Sequence, residues 1–302
     1  MDQLTFLVPA EYDGATVQTF LRRGCGFSSR MLARFRQVED GILADGAPLR
    51  TIDYVQTGQT LVLRLPEDMV RVEPVEYPLE VVYEDSSLLV VNKPPYLAVH
   101  PSAGKPEPTL AAAVVGYYQK KGESHAFRPL GRLDRNTSGL LAAAKNAHVA
   151  YALGGGKIQK EYRALALGKL EGEGIIDAPI RVREGSCITR EVGEGGKPSV
   201  TRWQALSGND RATYLRVCID TGRTHQIRVH MAWLGHPLAG DTMYGEDQTV
   251  LPRQGLHCGF LRFRHPLTGE TLCLSAPLPQ DMREAMMALG VEEKDPGCSL
   301  DG

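Results

Sequence analysis

The chain lacks any apolar run that approaches the roughly 20 residues of a membrane-spanning helix. Its start, Met1 to Leu4, has no basic segment followed by an apolar one, so we expect no secretory signal peptide and a cytoplasmic protein. The six cysteines are scattered without a CxxC pair, which favours free thiols and argues against a metal site. A GxGxxG segment and a phosphate-binding P-loop are also missing, so no cofactor is predicted.

An excess of positive charge is absent too, because the formal net charge is -2 at pH 7. This excludes a protein coated in basic groups, but it leaves room for a local patch that binds nucleic acid. One such patch is predicted between Ala15 and Val38, a stretch without acidic residues. Its basic residues are Arg22, Arg23, Arg30, Arg34 and Arg36. The tail from Asp281 onward is acidic instead, so the sign of the charge is asymmetric along the chain.

Residues 1–70 are predicted to form a small module of two helices and a small sheet. A short helix over 14–23 ends at glycines, and Ser28 is a suitable N-cap for a second helix. Residues 60–65 alternate as a strand. The arginines of this module are expected on an exposed helix face, where they contact RNA phosphates; mere solubilisation of a helical hairpin is the alternative.

Residues 71–78 are predicted to be a linker, residues 79–290 a larger domain, and residues 291–302 a flexible tail. Strands and helices do not alternate strictly in the larger domain, which favours an α+β fold with a mixed, largely antiparallel sheet. Strands are predicted over 79–83, 88–92, 158–167, 213–219, 256–263 and 271–274. Helices are predicted over 109–118, 138–153 and 280–289, and over 225–234 with Thr224 as its N-cap. An irregular loop is predicted over 171–200.

The candidate site of the larger domain is the stretch that begins at Gly131, where Asp134 lies between Arg132 and Arg135. Nearby cations favour the ionised form of a carboxylate. A charged and fixed carboxylate suits a nucleophile or an ion-pair partner. A structural Arg-Asp-Arg cluster that pins a turn is the alternative.

Arg132 to Gly139 reads Arg-Leu-Asp-x-x-Thr-Ser-Gly, which resembles the catalytic-loop motif of the RluA-type pseudouridine synthases. In that family the aspartate, here Asp134, is the catalytic residue. The usual motif begins with His where this chain has Gly131, and often has an acid where this chain has Asn136. The segment from 88 to 101 resembles the first motif of the same family.

Two later segments carry the same resemblance. Lys-x-Tyr-x-Ala-Leu at 160–165 is similar to the motif whose tyrosine, here Tyr162, stacks on the target base. Ile-Arg-x-His at 227–230 is similar to the motif whose arginine, here Arg228, forms a salt bridge to the catalytic aspartate. An arginine suits that role because its planar fork binds a carboxylate bidentately and stays charged.

The N-terminal module resembles the S4 RNA-binding module. The likeness rests on Phe-Leu-x-x-x-x-Gly-Phe-Ser-x-Arg at 20–30 and on Gly-x-x-Leu-x-Leu at 58–63. The family's Gly-x-Val-x-Val-Asn-Gly segment is only approximated, by Gly-Ile-Leu-Ala-Asp-Gly at 41–46. This likeness implies that the first 70 residues bind RNA.

Together the resemblances imply an RNA uridine-to-pseudouridine isomerase of a single chain, without cofactor, metal, membrane or obligate protein partner. Large-subunit ribosomal RNA is the default target and transfer RNA the alternative. Asp134 is the implied nucleophile, and Arg228 and Tyr162 hold the acid and the base. Arg132 is assigned the place in the RNA stack that the target base leaves, because a guanidinium can stack.

Two further functions are open at this point. A catalytically silent S4-type RNA-binding or assembly protein would have no use for Asp134. A glycoside hydrolase normally needs two paired carboxylates, and the nearest candidate, Glu161, should face away from its strand neighbour Tyr162. His225 and His230 suggest a metal or phosphate site, but residues five apart do not share a helical face. His100 beside a proline loop is taken as structural.

Overall fold

The computed structural model describes residues 3–35, 37–64, 72–101, 108–245 and 249–294, without the side chain of Arg30. Arg36 and the predicted strand end at Leu65 lie outside these ranges, as do the start of the predicted linker and the tail beyond Lys294. The described residues form a small sheet, a large sheet and a two-stranded ribbon. None of the helices in these ranges is long and apolar enough to cross a membrane.

The N-terminal residues form a four-stranded antiparallel sheet of order β1-β4-β2-β3. The strands are β1 (Gln3–Leu7), β2 (Ile42–Ala44), β3 (Ala47–Pro48) and β4 (Thr60–Arg64). Two helical segments pack on it: α1 (Val17–Thr19), which continues as a π-helical turn (Phe20–Gly24), and α2 (Ser29–Phe35). The Ser28 hydroxyl accepts a hydrogen bond from the Met31 amide at 3.1 Å, so the predicted N-cap is present.

The larger sheet has the strand order β10-β13-β14-β9-β15-β8-β6-β5, with β16 beside β15 and β7 beside β8. Its pairings are antiparallel except that of β15 with β8, so the predicted mixed, largely antiparallel α+β fold is confirmed. The first strands are β5 (Glu80–Glu84), β6 (Leu88–Lys93), β7 (Arg128–Pro129), β8 (Ser138–Ala144), β9 (Gln159–Leu167) and β10 (Glu173–Asp177). The remaining ones are β13 (Val200–Gly208), β14 (Ala212–Ile219), β15 (Leu256–Arg264) and β16 (Thr271–Ser275).

Four helices accompany this sheet. They are α3 (Leu110–Lys120), α4 (Ala147–Ala152), α5 (Gln226–Trp233) and α6 (Gln280–Leu289). Side-chain oxygens cap two of them, from Thr109 on α3 and from Asn146 on α4. Val291, predicted to belong to the tail, is buried beside α6.

The prediction of one helix over 138–153 was wrong. Ser138–Ala144 is a strand, and only Ala147–Ala152 is helical. All seven residues of β8 are buried, because β6 and β15 flank it and both of its faces are covered. A short, continuously apolar run lacks the alternation of a half-exposed strand, so its periodicity does not distinguish a buried strand from a buried helix.

Gly139 shows how closely the strands approach at the centre of this sheet. Its φ is +111°, and a Cβ built on it would lie 2.3 Å from the backbone oxygen of Cys258 on the parallel neighbour β15. An L-residue with a side chain meets both a steric clash and an unfavourable backbone conformation there. The glycine of the Thr-Ser-Gly segment is therefore required by strand packing.

The prediction of an irregular loop over 171–200 was also wrong in part. The segment contains the edge strand β10 and a ribbon of β11 (Ile180–Val182) and β12 (Arg190–Val192). Glycine-rich turns separate these short strands, and many of their residues are exposed, so the apolar alternation that marks a strand is weak. The ribbon packs beside α5 and thereby borders the candidate site.

Helix α5 begins one residue later than predicted. The predicted N-cap Thr224 does not cap it; the N-cap position is held by His225, which has a left-handed backbone with φ of 57° and makes no side-chain capping bond. The side chains from Gln226 to Met231 are all buried. A helix covered on every side shows no clear polar stripe, and this obscured its start in the sequence.

The small sheet is docked on the larger one by an aromatic contact. The His148 ring of α4 stacks on Phe27 with centroids 3.8 Å apart and lies edge-on to Phe6. His148 is buried, and burial lowers its pKa to about 4. The imidazole therefore acts at neutral pH as an uncharged aromatic group in an apolar interface.

Candidate active site

The loop between β7 and β8 carries Asp134. Three buried side chains donate hydrogen bonds to the residues that follow Asp134 in this loop. Lys93 Nζ donates to the carbonyl of Arg135 at 3.0 Å. Arg253 Nη1 donates to the carbonyl of Asn136 at 3.1 Å, and Gln254 Nε2 donates to the Thr137 hydroxyl at 3.1 Å. The backbone around Asp134 is therefore fixed by contacts from two other strands and their loops.

Lys93 is fully buried at the end of β6 and also donates to the carbonyls of Pro94 and Leu97, at 2.8 and 2.9 Å. The pKa of its ammonium is lowered to about 7, chiefly by burial and also by the charge of Arg253, against the opposing charge of Asp134. Three carbonyl acceptors match the three donors of an ammonium. Lys93 thus ties the proline-rich turn after β6 to the Asp134 loop.

Arg228 on α5 joins two carboxylates. Its Nη1 lies 3.1 Å from Asp134 Oδ2, while Nε and Nη2 bind the two oxygens of the fully buried Asp241 at 2.7 and 2.8 Å. Burial alone would lower the pKa of Arg228, but hydrogen bonds and charges of Asp241 and Asp134 raise it. The guanidinium is fixed by Asp241 and presents Nη1 to Asp134.

A cavity of about 790 Å³ opens above this ion pair. Asp134 is the one carboxylate among the described residues that line it. The basic side chains on its wall are Arg132, Arg135, Lys160, Arg223 and Arg228. A chain of slightly negative net charge therefore has a strongly basic cavity, which suits a polyanionic substrate.

Tyr162 on β9 reaches the cavity from the side of the sheet. It is 4% exposed, and its pKa is raised well above its usual value, chiefly by burial and further by Cys258 and Asp134. Its strand neighbour Glu161 is fully buried, ion-paired with Arg163 and Arg216, and absent from the cavity wall. Successive residues of a strand face opposite sides, so the tyrosine and the glutamate are separated as expected.

Arg132 and His100 lie at the exposed rim of the cavity. Burial lowers the pKa of His100, and so does the nearby charge of Arg132. The His100 ring packs against Phe127 at a centroid distance of 5.6 Å, and its position is that of a wall residue. Arg132 is likewise exposed at the opening.

Gly131 has a φ of +124°, and a Cβ on it would lie 2.4 Å from Lys160 Nζ. The ammonium of Lys160 thus occupies the space that a side chain at position 131, where the family's motif usually has His, would need. The loop is instead supported by the buried contacts of Lys93 and Arg253.

The N-terminal arginines lie away from this wall. Arg22 and Arg23 are exposed in the π-helical turn, and Arg34 is half-buried on α2. None of these three described side chains lines the cavity. The other two predicted RNA contacts, Arg30 and Arg36, cannot be placed because their side chains lie outside the described residues.

Comparison with known proteins gives the family. A family model described as RNA pseudouridylate synthase matches residues 87–233. The uncharacterized RNA pseudouridine synthase YjbO of Bacillus subtilis is 39% identical over 267 residues, which are 85% of this chain and 93% of the relative. The ribosomal large subunit pseudouridine synthase D of Haemophilus ducreyi is 39% identical over 74% of each chain.

The chain belongs to the RNA pseudouridine synthase family. Members of this family are isomerases that convert uridine to pseudouridine in RNA, and the chain is an enzyme of that class, of the RluA type. Its fold is that of a solved human structure, RNA pseudouridylate synthase domain containing 4, with a TM-score of 0.59 at 20% identity over 72% of this chain and 95% of that one. A second human structure, domain containing 1, is 28% identical with a TM-score of 0.54 over 72% and 98%.

The structure of this synthase brings Asp134, Tyr162 and Arg228 together and adds Asp241, Tyr244 and Arg253, which the sequence did not single out. It places His225, which the sequence suggested only for a metal or phosphate site, beside Asp134. Asp241 anchors Arg228, His225 and Tyr244 flank Asp134, and Arg253 supports its loop. Asp241 and Tyr244 follow α5 within a short stretch after Gly240, where no motif marks them. His225 lies in the recognised third motif, and its place beside Arg228 was the available signal.

Proposed function

We propose that the enzyme isomerises specific uridines of large-subunit ribosomal RNA, with Asp134 as the nucleophile. The observation that carries this proposal is the single cavity carboxylate, fixed by Arg228 and surrounded by basic side chains among the residues described. The names of the relatives, ribosomal large subunit pseudouridine synthases, support the choice of RNA. Transfer RNA is the alternative substrate.

The reaction breaks the bond between N1 of uracil and C1′ of ribose and forms a bond between C5 and C1′. A proton leaves C5 and one is gained at N1, so no oxidant or reductant takes part. Asp134 supplies the covalent step, for which its carboxylate must stay ionised and aimed. Arg228 supplies both conditions, because its guanidinium stays charged and is itself held by Asp241.

Tyr162 holds the detached uracil by its face while the ring turns. Its position on the cavity wall and the burial of its hydroxyl end support this role. The target must leave its base stack to reach the cavity, and the exposed Arg132 at the rim takes its place by stacking. If Arg132→Ala left both activity and RNA affinity unchanged, this assignment would be wrong.

We propose residues 1–70 as an S4-like RNA-binding module and residues 79–290 as the catalytic domain, acting as a monomer. Two separate apolar cores support the division. The exposed Arg22 and Arg23 support the RNA contact, and Arg30, Arg34 and Arg36 extend it by sequence.

The decisive experiment uses unmodified ribosomal RNA labelled with tritium at uracil C5. Wild type and the control variant Asp220→Asn, which alters an exposed carboxylate paired with Arg202, are expected to release tritium. Asp134→Asn is expected to release none. Asp134→Asn with full activity would exclude this acid as the nucleophile. A wild type that binds ribosomal RNA but releases tritium from neither ribosomal nor transfer RNA would contradict the synthase assignment, and free uracil as product would indicate hydrolysis.

Parallel incubations with transfer RNA test the choice of substrate. Release from ribosomal RNA alone supports the proposal. Release from transfer RNA alone would leave the chemistry in place and change the substrate.

A further inference from the structure

His225 is a cavity residue whose side chain has no role in the proposed mechanism so far. It lines the wall beside Asp134 and has a left-handed backbone, with φ of 57°. That conformation is uncommon for a residue with a side chain and costs about 1–2 kcal/mol relative to the right-handed region. The ring makes no helix-capping bond that would account for this cost. A strained backbone at a cavity wall is typical of a residue whose side chain has a function there, so the contacts of the His225 ring matter.

The two ring nitrogens of His225 face different partners. Nδ1 lies 2.9 Å from the hydroxyl of Tyr244, and Nε2 lies 3.8 Å from Asp134 Oδ2. The same hydroxyl accepts a hydrogen bond from the backbone N–H of Arg190 at 2.8 Å. Its own hydrogen is therefore free to be donated to Nδ1, which acts as the acceptor.

This network assigns the tautomer of the ring. When Nδ1 accepts, the proton of a neutral imidazole is on Nε2, the nitrogen that faces Asp134. Burial lowers the pKa of His225 below its usual value; Asp134 and Asp241 oppose this effect, while Arg228 and Arg190 add to it. The ring is thus neutral at pH 7 and directs an N–H toward the carboxylate.

Both donors near Asp134 converge on one oxygen. Arg228 Nη1 lies 3.1 Å from Oδ2, and His225 Nε2 approaches the same atom. Within the described residues no hydrogen bond is made to Oδ1 from any side chain. The hydrogen bond from Arg228 restrains the rotation of the carboxylate about its Cβ–Cγ bond, and a second donor at the same oxygen would restrain it further. Oδ1 is then the oxygen available to a substrate.

We propose that His225 is a positioning residue that donates through Nε2–H to Asp134 Oδ2 and so selects Oδ1 as the oxygen that attacks the nucleotide. The inference rests on the proposed role of Asp134. The distance of 3.8 Å is too long for a hydrogen bond in the free enzyme. Active-site hydrogen bonds that are long without substrate commonly shorten in the complex, and closure on RNA brings these two atoms into contact.

Two substitutions of His225 separate its two nitrogens. The amide of glutamine reaches as far as Nε2 and keeps an N–H donor for Asp134. The amide of asparagine ends near the position of Nδ1, keeps the contact with Tyr244 and loses the donor to Asp134. Asparagine tolerates the left-handed backbone better than glutamine, so His225→Asn is expected to melt at the same temperature as His225→Gln or higher.

Activity is expected to follow the opposite order. In single-turnover and steady-state tritium release, His225→Asn should lower kcat on the order of 10- to 100-fold, the effect of losing a hydrogen bond to a charged group, with KM for RNA little changed. His225→Gln should recover most of that loss. Equal losses of kcat in the two variants, or losses that follow the melting temperatures, would overturn the proposal, and so would wild-type kcat in His225→Asn.

Tyr244→Phe tests the assignment of the tautomer. It should lower kcat in the wild-type background by several fold, because Nδ1 can then carry the proton, and it should have no further effect in His225→Gln, which has no tautomers. An equal effect in both backgrounds would contradict the relay. Asp134→Asn is measured alongside: if it is inactive while His225→Asn retains full activity, the proposed function stands and this inference fails.

Discussion

Replacement of Arg228 by lysine tests the geometry of the ion pair without removing its charge. The guanidinium uses Nε and Nη2 for Asp241 and Nη1 for Asp134, at 2.7, 2.8 and 3.1 Å. A lysine ammonium is one point of charge on a flexible stem and cannot reproduce this fork. We expect the ammonium to remain with Asp241, because an unpaired carboxylate is most costly where it is fully buried. Asp134 then loses its donor.

The size of each effect follows from the bonds that are lost. One hydrogen bond to a charged group contributes about 1.5–3 kcal/mol, so kcat should fall on the order of 10- to 100-fold. Loss of one arm of the bidentate contact with Asp241 should lower the free energy of unfolding by about 1–2 kcal/mol, which corresponds to a Tm lower by roughly 2–8 °C. Arg228→Ala should cost about 3–5 kcal/mol because Asp241 is then buried without a cationic partner and keeps only the backbone N–H bonds of Met243 and Tyr244.

The assay pairs single-turnover tritium release at saturating RNA with thermal unfolding of the same preparations. Arg202→Lys is the matched control, because Arg202 also binds an aspartate, Asp220, in a fork, but both are about half exposed. It should change stability by less than about 1 kcal/mol and leave the rate unchanged. Arg228→Lys with wild-type kcat would refute the view that the fork aims Asp134.

Three further variants test the pH response, the sheet and the RNA contact. The pKa of His148 is about 4 in the folded state and 6.5 in the unfolded state, so the free energy of unfolding of wild type should fall by about 2 kcal/mol between pH 8 and 5. His148→Phe should not show this fall, as measured by urea unfolding. Gly139→Ala should lose more than about 3 kcal/mol through its clash with Cys258. Arg22→Gln with Arg23→Gln should weaken RNA binding and reduce the salt slope by about 2, with kcat at saturating RNA unchanged.

Each of these variants has a control on the same chain. Gly155 also has a positive φ, of 73°, but a Cβ added to it would meet no atom within 4 Å, so Gly155→Ala should lose only about 1 kcal/mol. Arg202→Gln removes an exposed arginine outside the N-terminal module and should leave the salt slope unchanged. A pH profile of His148→Phe parallel to that of wild type would assign the acid sensitivity to another buried group, such as His257, whose pKa burial also lowers to about 4.

The sign of the His148 effect is set by which state binds the proton first. As the pH falls below 6.5, the unfolded chain takes up a proton that the folded ring resists until about pH 4, so the unfolded state is favoured over this interval. The stability contributed by the neutral ring is complete above pH 6.5. It is lost as the pH falls through the interval and does not change further below about 4.

Local signals in the sequence were sufficient for many elements. The hydroxyl of Ser28 caps a helix where capping chemistry predicts it. Thr109, predicted as the first residue of a helix, is the N-cap one position before it. The bounds of α6 agree with the prediction over 280–289, since an amphipathic helix on the surface has a clear apolar stripe. The segment predicted at 60–65 is a strand for the same reason, because burial alternates along its described residues. The strand at 213–219 was also predicted correctly, although its first residues are buried on both faces.

Elements that are covered on both sides could not be read in this way. The apolar run of β8 was predicted as helix, and α5 was started at the wrong residue, because uniform burial removes the periodicity that distinguishes the two. The ribbon of β11 and β12 was missed for a different reason. Each strand is only three residues long, and its burial does not alternate. Backbone bonds at Ile180, Gly193 and Arg190 hold it as well as its own ladder.

The sequence by itself determined the chemistry: one carboxylate in an arginine-rich loop, a tyrosine on a strand and an arginine before a histidine, each in a recognisable segment. These are properties of neighbouring residues, so a linear sequence records them. Only the tertiary structure decided which side chains meet across the fold: Asp241 behind Arg228, Lys93 and Arg253 under the loop, and the ring of His225 turned toward Asp134. Those contacts join residues up to 117 positions apart, and only the packing of the strands brings them together.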